Sequence, residues 1–123
     1  MELNRNTEIL IVGLGVIGGG YARALTRQGY RVSCITKEQK DIDYAVAHGI
    51  IHSGYTEPRP EILAAAELVV LALYPHTAVE WMRENQIFLR PGTLVTDVTG
   101  VKARFIREMQ AFLRTDIEFI FAH

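Results

Sequence analysis

The chain has 123 residues, enough for one domain with a core of its own. Its 13 Lys and Arg against 14 Asp and Glu leave a formal net charge of -1, with no two cations adjacent, which excludes nucleic-acid or membrane-surface binding that depends on a basic field. No apolar run approaches the ~20 residues needed to span a bilayer, no basic-then-apolar signal layout opens the chain, and the single cysteine, Cys34, fits a reducing, cytoplasmic setting.

The first predicted element is a strand over Glu8–Val12, apolar without interruption from Ile9, as expected of a strand covered on both faces. It runs through Gly13-Leu14-Gly15-Val16-Ile17-Gly18 straight into a helix predicted over 16–28. Ile17, Tyr21, Ala24 and Leu25 are expected on the inner face of that helix, and Gly29 is placed to end it. A strand over Arg31–Ile35 and a helix over 38–48 follow. Ile50-Ile51 is at most a short strand, and 53–60 reads as a turn-rich loop before a short helix near 61–66. The second half repeats the alternation: a strand over 68–73 stopped by Pro75, a helix over 76–84, and a strand over 93–98. An amphipathic helix over 101–113, with Phe105, Met109, Phe112 and Leu113 inward, then leads to a last strand over 117–121. This order predicts a doubly wound α/β domain with a mostly parallel sheet, a Rossmann-type dinucleotide-binding fold of strand order 3-2-1-4-5-6.

The glycine run carries the first chemistry. Gly13 suits the tight turn out of the strand, Gly15 lets a pyrophosphate approach the backbone, and Gly18 lets the helix pack closely on the sheet. Free N–H groups at the helix start, from Leu14 to Gly18, are then aimed at an anion. Gly19 and Gly20 extend the run into the helix, where each costs roughly 1 kcal/mol relative to Ala. They therefore imply crowding, of helix against sheet or of ligand against helix. A site for NAD expects an Asp or Glu about 20 residues beyond the glycines. Here Thr36 and Lys37 stand at that place, a hydroxyl and a cation suited to a 2′-phosphate, with Lys40 as a possible second cation. NADP is therefore favoured, with NAD as the alternative should the strand end shift and make Glu38 the ribose acceptor.

His48, His52, His76 and His123 show no metal-ligand spacing, and no metal site is expected. Cys34 falls within a strand and reads as core filling. His76 lies near the strand end at Pro75, close to any cofactor. His123 follows the last strand onto the ligand side of the sheet, where an imidazole can serve as a base near neutral pH.

Four segments together resemble one family: Gly13-Leu14-Gly15-Val16-Ile17-Gly18-Gly19, Leu71-Ala72-Leu73-Tyr74-Pro75, Thr96-Asp97-Val98-Thr99-Gly100-Val101-Lys102 and Phe121-Ala122-His123. The chain resembles the amino-terminal domain of prephenate dehydrogenases, including their arogenate-using relatives, over nearly its whole length. The glycine segment is shared by many dehydrogenases; the Asp97–Lys102 segment and the terminal Ala-His are more specific. The resemblance implies an oxidative decarboxylation of prephenate to 4-hydroxyphenylpyruvate in tyrosine biosynthesis. A histidine matching His123 takes the proton of the ring hydroxyl, hydride passes to NAD(P), and loss of carbon dioxide makes the ring aromatic. It adds Leu73, Tyr74 and Pro75 to the cofactor-binding positions. Gly100 departs from the family pattern, which carries a serine near the substrate hydroxyl; Thr99 or a water is the candidate substitute. Family members continue after the histidine with a Pro-x-Ala-Gly stretch and a helical domain that dimerises and binds prephenate or arogenate. The expectation is thus one dinucleotide-binding domain over 1–123, a fragment inactive alone, whose parent is a homodimer. Two alternatives remain: another two-domain dehydrogenase of the hydroxyacid type, and a non-catalytic nucleotide-sensing module.

Overall fold

In a computed structural model, residues 3–100 and 103–121 are described. Six strands form one all-parallel sheet in the order β3-β2-β1-β4-β5-β6, the predicted doubly wound order. The strands are β1 (Glu8–Val12), β2 (Arg31–Ile35), β3 (Ser53–Tyr55), β4 (Leu68–Leu71), β5 (Leu94–Asp97) and β6 (Glu118–Phe121). The helices are α1 (Val16–Arg27), α2 (Gln39–Ala47), α3 (Pro60–Ala65), α4 (Pro75–Asn85) and α5 (Ala103–Gln110), with a 3-10 turn at Gln86–Phe88.

Alternation along each strand feeds two separate cores, because successive side chains leave opposite faces. Ile9, Ile11, Val32 and Cys34 pack beneath Ala22 of α1 and Ile42 and Ala45 of α2. Leu10, Val12, Ile35, Val69 and Leu71 pack against Leu63 of α3, Val79 and Met82 of α4, and Phe105 and Met109 of α5. Burial pushes the Cys34 thiol up to about 11, so it is filling rather than a nucleophile. No helix among the described residues is long and apolar enough to cross a membrane.

Three expectations need correction. The third strand is not Ile50-Ile51 but Ser53–Tyr55, inside the segment read as a loop. The two isoleucines instead close α2, their N–H groups donating to the Ala45 carbonyl at 2.8 and 3.4 Å, while their side chains fill the core. β3 was hidden because Gly54 carries no side chain; a Cβ there would press on Ile42 at 2.6 Å. Pro75 does not merely stop a strand: it is the first residue of α4, where its missing N–H costs nothing. Finally, α1 buries Gly18 and Ala22 rather than Ile17, Tyr21 and Ala24, all three of which are exposed. The smallest residues face the sheet because the helix lies too close to it for larger ones.

Candidate functional site

The parallel strands end level with one another. Val12 is in register with Ile35 and Leu71, Leu71 with Asp97, and Asp97 with Phe121. The residues just beyond, Gly13, Thr36, Ala72 and Val98, therefore line one edge. Between β1 and β4 the chain leaves toward opposite faces, and a crevice opens at that switch point.

Gly13 begins the site with φ +95, a conformation that favours glycine, and a Cβ on it would lie 2.5 Å from the Ala72 carbonyl oxygen. A Cβ on Gly18 would collide with the Gly13 carbonyl oxygen, which fixes how tightly α1 turns back over the strand. The first hydrogen bond of α1 runs from the Gly19 N–H to the Gly15 carbonyl at 2.7 Å. The N–H groups of Val16, Ile17 and Gly18 precede it and have no partner within the helix. Gly15 makes no side-chain cap and the first turn holds no acid, so the positive end of the helix dipole stands open. Val16 is 96% exposed there, and a Cβ on Gly15 would meet nothing within 4 Å. This is a seat for an anion.

Gly19 and Gly20 also have nothing within 4 Å of a Cβ, so the expected crowding of helix against sheet is absent. They face a neighbouring hollow of about 470 Å³ between α1 and α2, which also takes in Gly15 and Val16. Leu14 lines that hollow too, on the α1–α2 side rather than in the crevice.

Two adjoining hollows make up the crevice. One, of about 460 Å³, lies between Gly15-Val16-Ile17-Gly18 and the segment Ala72-Leu73-Tyr74, with Thr99 at its side. The other, of about 360 Å³, lies over the ends of β1 and β2 and is walled by Thr36, Thr56, Pro58 and Trp81. Lys37, Leu73 and Thr77 border both. Among the described residues that line them, none is acidic. β2 ends at Ile35 as predicted, so Thr36 and Lys37 stand at its tip; Glu38 is the exposed N-cap of α2 and lines neither hollow, nor does Lys40. The residue set suits a dinucleotide: open backbone donors for a pyrophosphate, then a cation and hydroxyls at the ribose end.

Leu73 and Tyr74 line the crevice, Tyr74 with 84% of its surface exposed, whereas Pro75 is the first residue of α4 and is among the lining residues of neither hollow. Thr56, Pro58, Thr77 and Trp81 were not singled out from sequence. Thr56 and Pro58 lie in the segment read as turns, and Thr77 and Trp81 are one turn apart on α4, a spacing that marks a shared helix face without saying what it faces. The Trp81 indole N–H is the one buried side-chain donor without a partner among the described residues.

The turn after β5 is built differently. Asp97 is fully buried and accepts hydrogen bonds from the Thr99 N–H at 3.2 Å and the Gly100 N–H at 3.1 Å. The Thr99 hydroxyl lies 2.7 Å from Asp97 Oδ1 and 2.8 Å from the Leu73 carbonyl, sharing its proton between them. Thr99 therefore ties β5 to the end of β4, and its proton is not spare for a ligand. Gly100 adopts φ +76, so a serine at this position would be strained in the observed turn. Val101, Lys102 and, beyond β6, Ala122 and His123 lie outside the described residues.

His48 stacks on Tyr44 at 3.9 Å, and His52 and His76 are exposed and line neither hollow of the crevice. Among the described residues no group of three or more His, Cys, Asp and Glu side chains is placed to hold a metal.

The family model described as "Prephenate dehydrogenase, nucleotide-binding domain" matches residues 21–123. The T-protein of Haemophilus influenzae is 28% identical over 101 residues, covering 82% of this chain and 22% of that protein. The crystal structure of prephenate dehydrogenase from Aquifex aeolicus, in complex with hydroxyphenyl propionate and NAD+, is 26% identical with a TM-score of 0.79, covering 90% of this chain and 40% of that one. Mycobacterium tuberculosis 3-hydroxyisobutyrate dehydrogenase superposes with a TM-score of 0.80 at 23% identity, over 94% of this chain and 39% of its own, a likeness of fold alone. The chain thus spans well under half the length of the relatives it matches.

Proposed function

The chain belongs to the prephenate dehydrogenase nucleotide-binding domain family, and from that premise we propose that it is the cofactor-binding half of an enzyme that oxidatively decarboxylates prephenate, or its amino-acid counterpart arogenate, with NADP as the hydride acceptor. The observation that carries this reading is the convergence at one sheet edge of the open start of α1, the acid-free recess at Thr36 and Lys37, and the end of β6, after which His123 follows.

Each part has a defined task. The N–H groups of Val16, Ile17 and Gly18 hold the pyrophosphate, and Thr36 and Lys37 hold the 2′-phosphate. Leu73 and Tyr74 border the path between α1 and β4 along which the rest of the cofactor extends. Bound nicotinamide supplies the hydride acceptor. His123 takes the proton of the substrate ring hydroxyl as the carbinol carbon gives up hydride; the bond to the ring carboxylate then breaks, and its electron pair completes the aromatic ring. A neutral imidazole is required for the first step, so activity falls as pH drops through the pKa of His123. Gly100 and the committed Thr99 hydroxyl leave that proton transfer to His123 without a serine donor beside it.

The test is His123→Asn in the enzyme that carries this chain with its substrate domain. We expect kcat to fall by about 10²–10⁴-fold, with the affinity for NADP unchanged within about twofold. Unchanged turnover would remove His123 from the chemistry. The 123-residue chain alone should bind cofactor and turn over prephenate negligibly.

A further inference from the structure

Thr56 was part of a segment with no assigned role, and its position is set by the sheet. Ile35 of β2 is in register with Tyr55 of β3, and the Thr36 N–H donates to the Tyr55 carbonyl at 3.0 Å. Thr36 and Thr56 are thus the equivalent first residues beyond two neighbouring parallel strands. Neighbouring strands run about 4.8 Å apart, a separation that one phosphate group can bridge. Both side chains line the hollow over the end of β2, and Lys37 borders it as well. Among the described residues no hydrogen bond engages the hydroxyl of Thr36 or Thr56, and no ion pair engages Lys37. Two unspent hydroxyl donors and one unspent cation, with no carboxylate among the lining residues, form a recess for a dianion rather than for a ribose diol.

We propose that Thr56 is a specificity-determining residue, completing with Thr36 and Lys37 a three-donor recess for the 2′-phosphate of the cofactor. This rests on reading the crevice as an NADP site. Selectivity then comes from two loops, the one after β2 and the one after β3, so it depends on β3 holding its register. The chain's only tryptophan, Trp81, walls the same hollow and reports its occupancy.

The experiment titrates the 123-residue chain with adenosine 2′,5′-bisphosphate and with adenosine 5′-monophosphate, which differ only in the 2′-phosphate, by calorimetry and by Trp81 fluorescence. The unmodified chain should prefer the bisphosphate by about tenfold or more, and both ligands should change the emission. Thr56→Val should weaken the bisphosphate about tenfold and leave the monophosphate within twofold, and Thr56→Ser should restore the preference. Thr56 is exposed, so neither variant should disturb the fold. If the unmodified chain prefers the bisphosphate and Thr56→Val retains that preference in full, Thr56 has no such role although the NADP reading stands. If the unmodified chain shows no preference, the NADP reading fails and the role of Thr56 falls with it.

Discussion

The turn after β1 and the turn after β5 leave the same edge of the sheet, one strand apart, yet they treat their backbone donors in opposite ways. At the first, the N–H groups of Val16, Ile17 and Gly18 receive no side-chain cap and no acid stands in the helix's first turn. At the second, a buried carboxylate takes up the N–H groups of Thr99 and Gly100 and the Thr99 hydroxyl. A buried donor left unsatisfied costs about 1–3 kcal/mol, so a fold tolerates open donors only where water or a ligand reaches them. The turn after β1 thus keeps its donors open to water or to a ligand. Asp97 instead makes its turn a scaffold, holding the chain that leads into α5 and, through Thr99, the end of β4 beside the crevice.

The largest expected effect falls on the open turn. Gly13→Ala places a side chain at φ +95 against the Ala72 carbonyl, and should cost about 2–4 kcal/mol of stability and abolish cofactor binding. A variant of unchanged melting temperature that still binds would mean that the turn is not held as described. Asp97→Ala strips the scaffold of its acceptor and should lower stability in urea by about 2–3 kcal/mol. Cofactor affinity in the folded variant should stay within about threefold. A folded Asp97→Ala chain that no longer binds would erase the distinction between the two turns. Thr99→Val removes the hydroxyl shared between the Leu73 carbonyl and Asp97 Oδ1 and should cost about 1 kcal/mol. Smallest of all, Gly19→Ala adds a methyl group that meets nothing within 4 Å and should stabilise α1 by about 0.5–1 kcal/mol in thermal melts. A loss of cofactor affinity in Gly19→Ala would show that ligand approaches this flank of the helix as well.

The strand order and the site's edge were legible because β4 and all of β1 after Glu8 are continuous apolar runs, β2 is a short strand with Val32, Cys34 and Ile35 buried, and glycines punctuate the turns. β3 was not legible: three partly buried residues, the middle one a glycine, give no hydrophobic signal, and their pairing is dictated by β2. Gly18 was expected against the sheet and Leu25 packs on the core as read, but Ile17, Tyr21 and Ala24 were misassigned inward because periodicity favours apolar residues, whereas a helix pressed to the sheet requires Gly18 and Ala22. Thr36 and Lys37 could be found by counting from the glycines. Thr56 and Trp81 could not, since they reach the same hollow from elements distant in sequence. The role of Asp97 was half visible: the motif drew attention to the segment, but only the hydrogen bonds distinguish a structural carboxylate from a ligand-facing one.

The open turn after β1 and the recess beside it are proposed to bind NADP in preference to NAD. Calorimetric titration of the chain with the two cofactors side by side tests this most directly. NADP should bind at least about tenfold more tightly, a difference of about 1.4 kcal/mol. Equal affinities, or tighter binding of NAD, would contradict it.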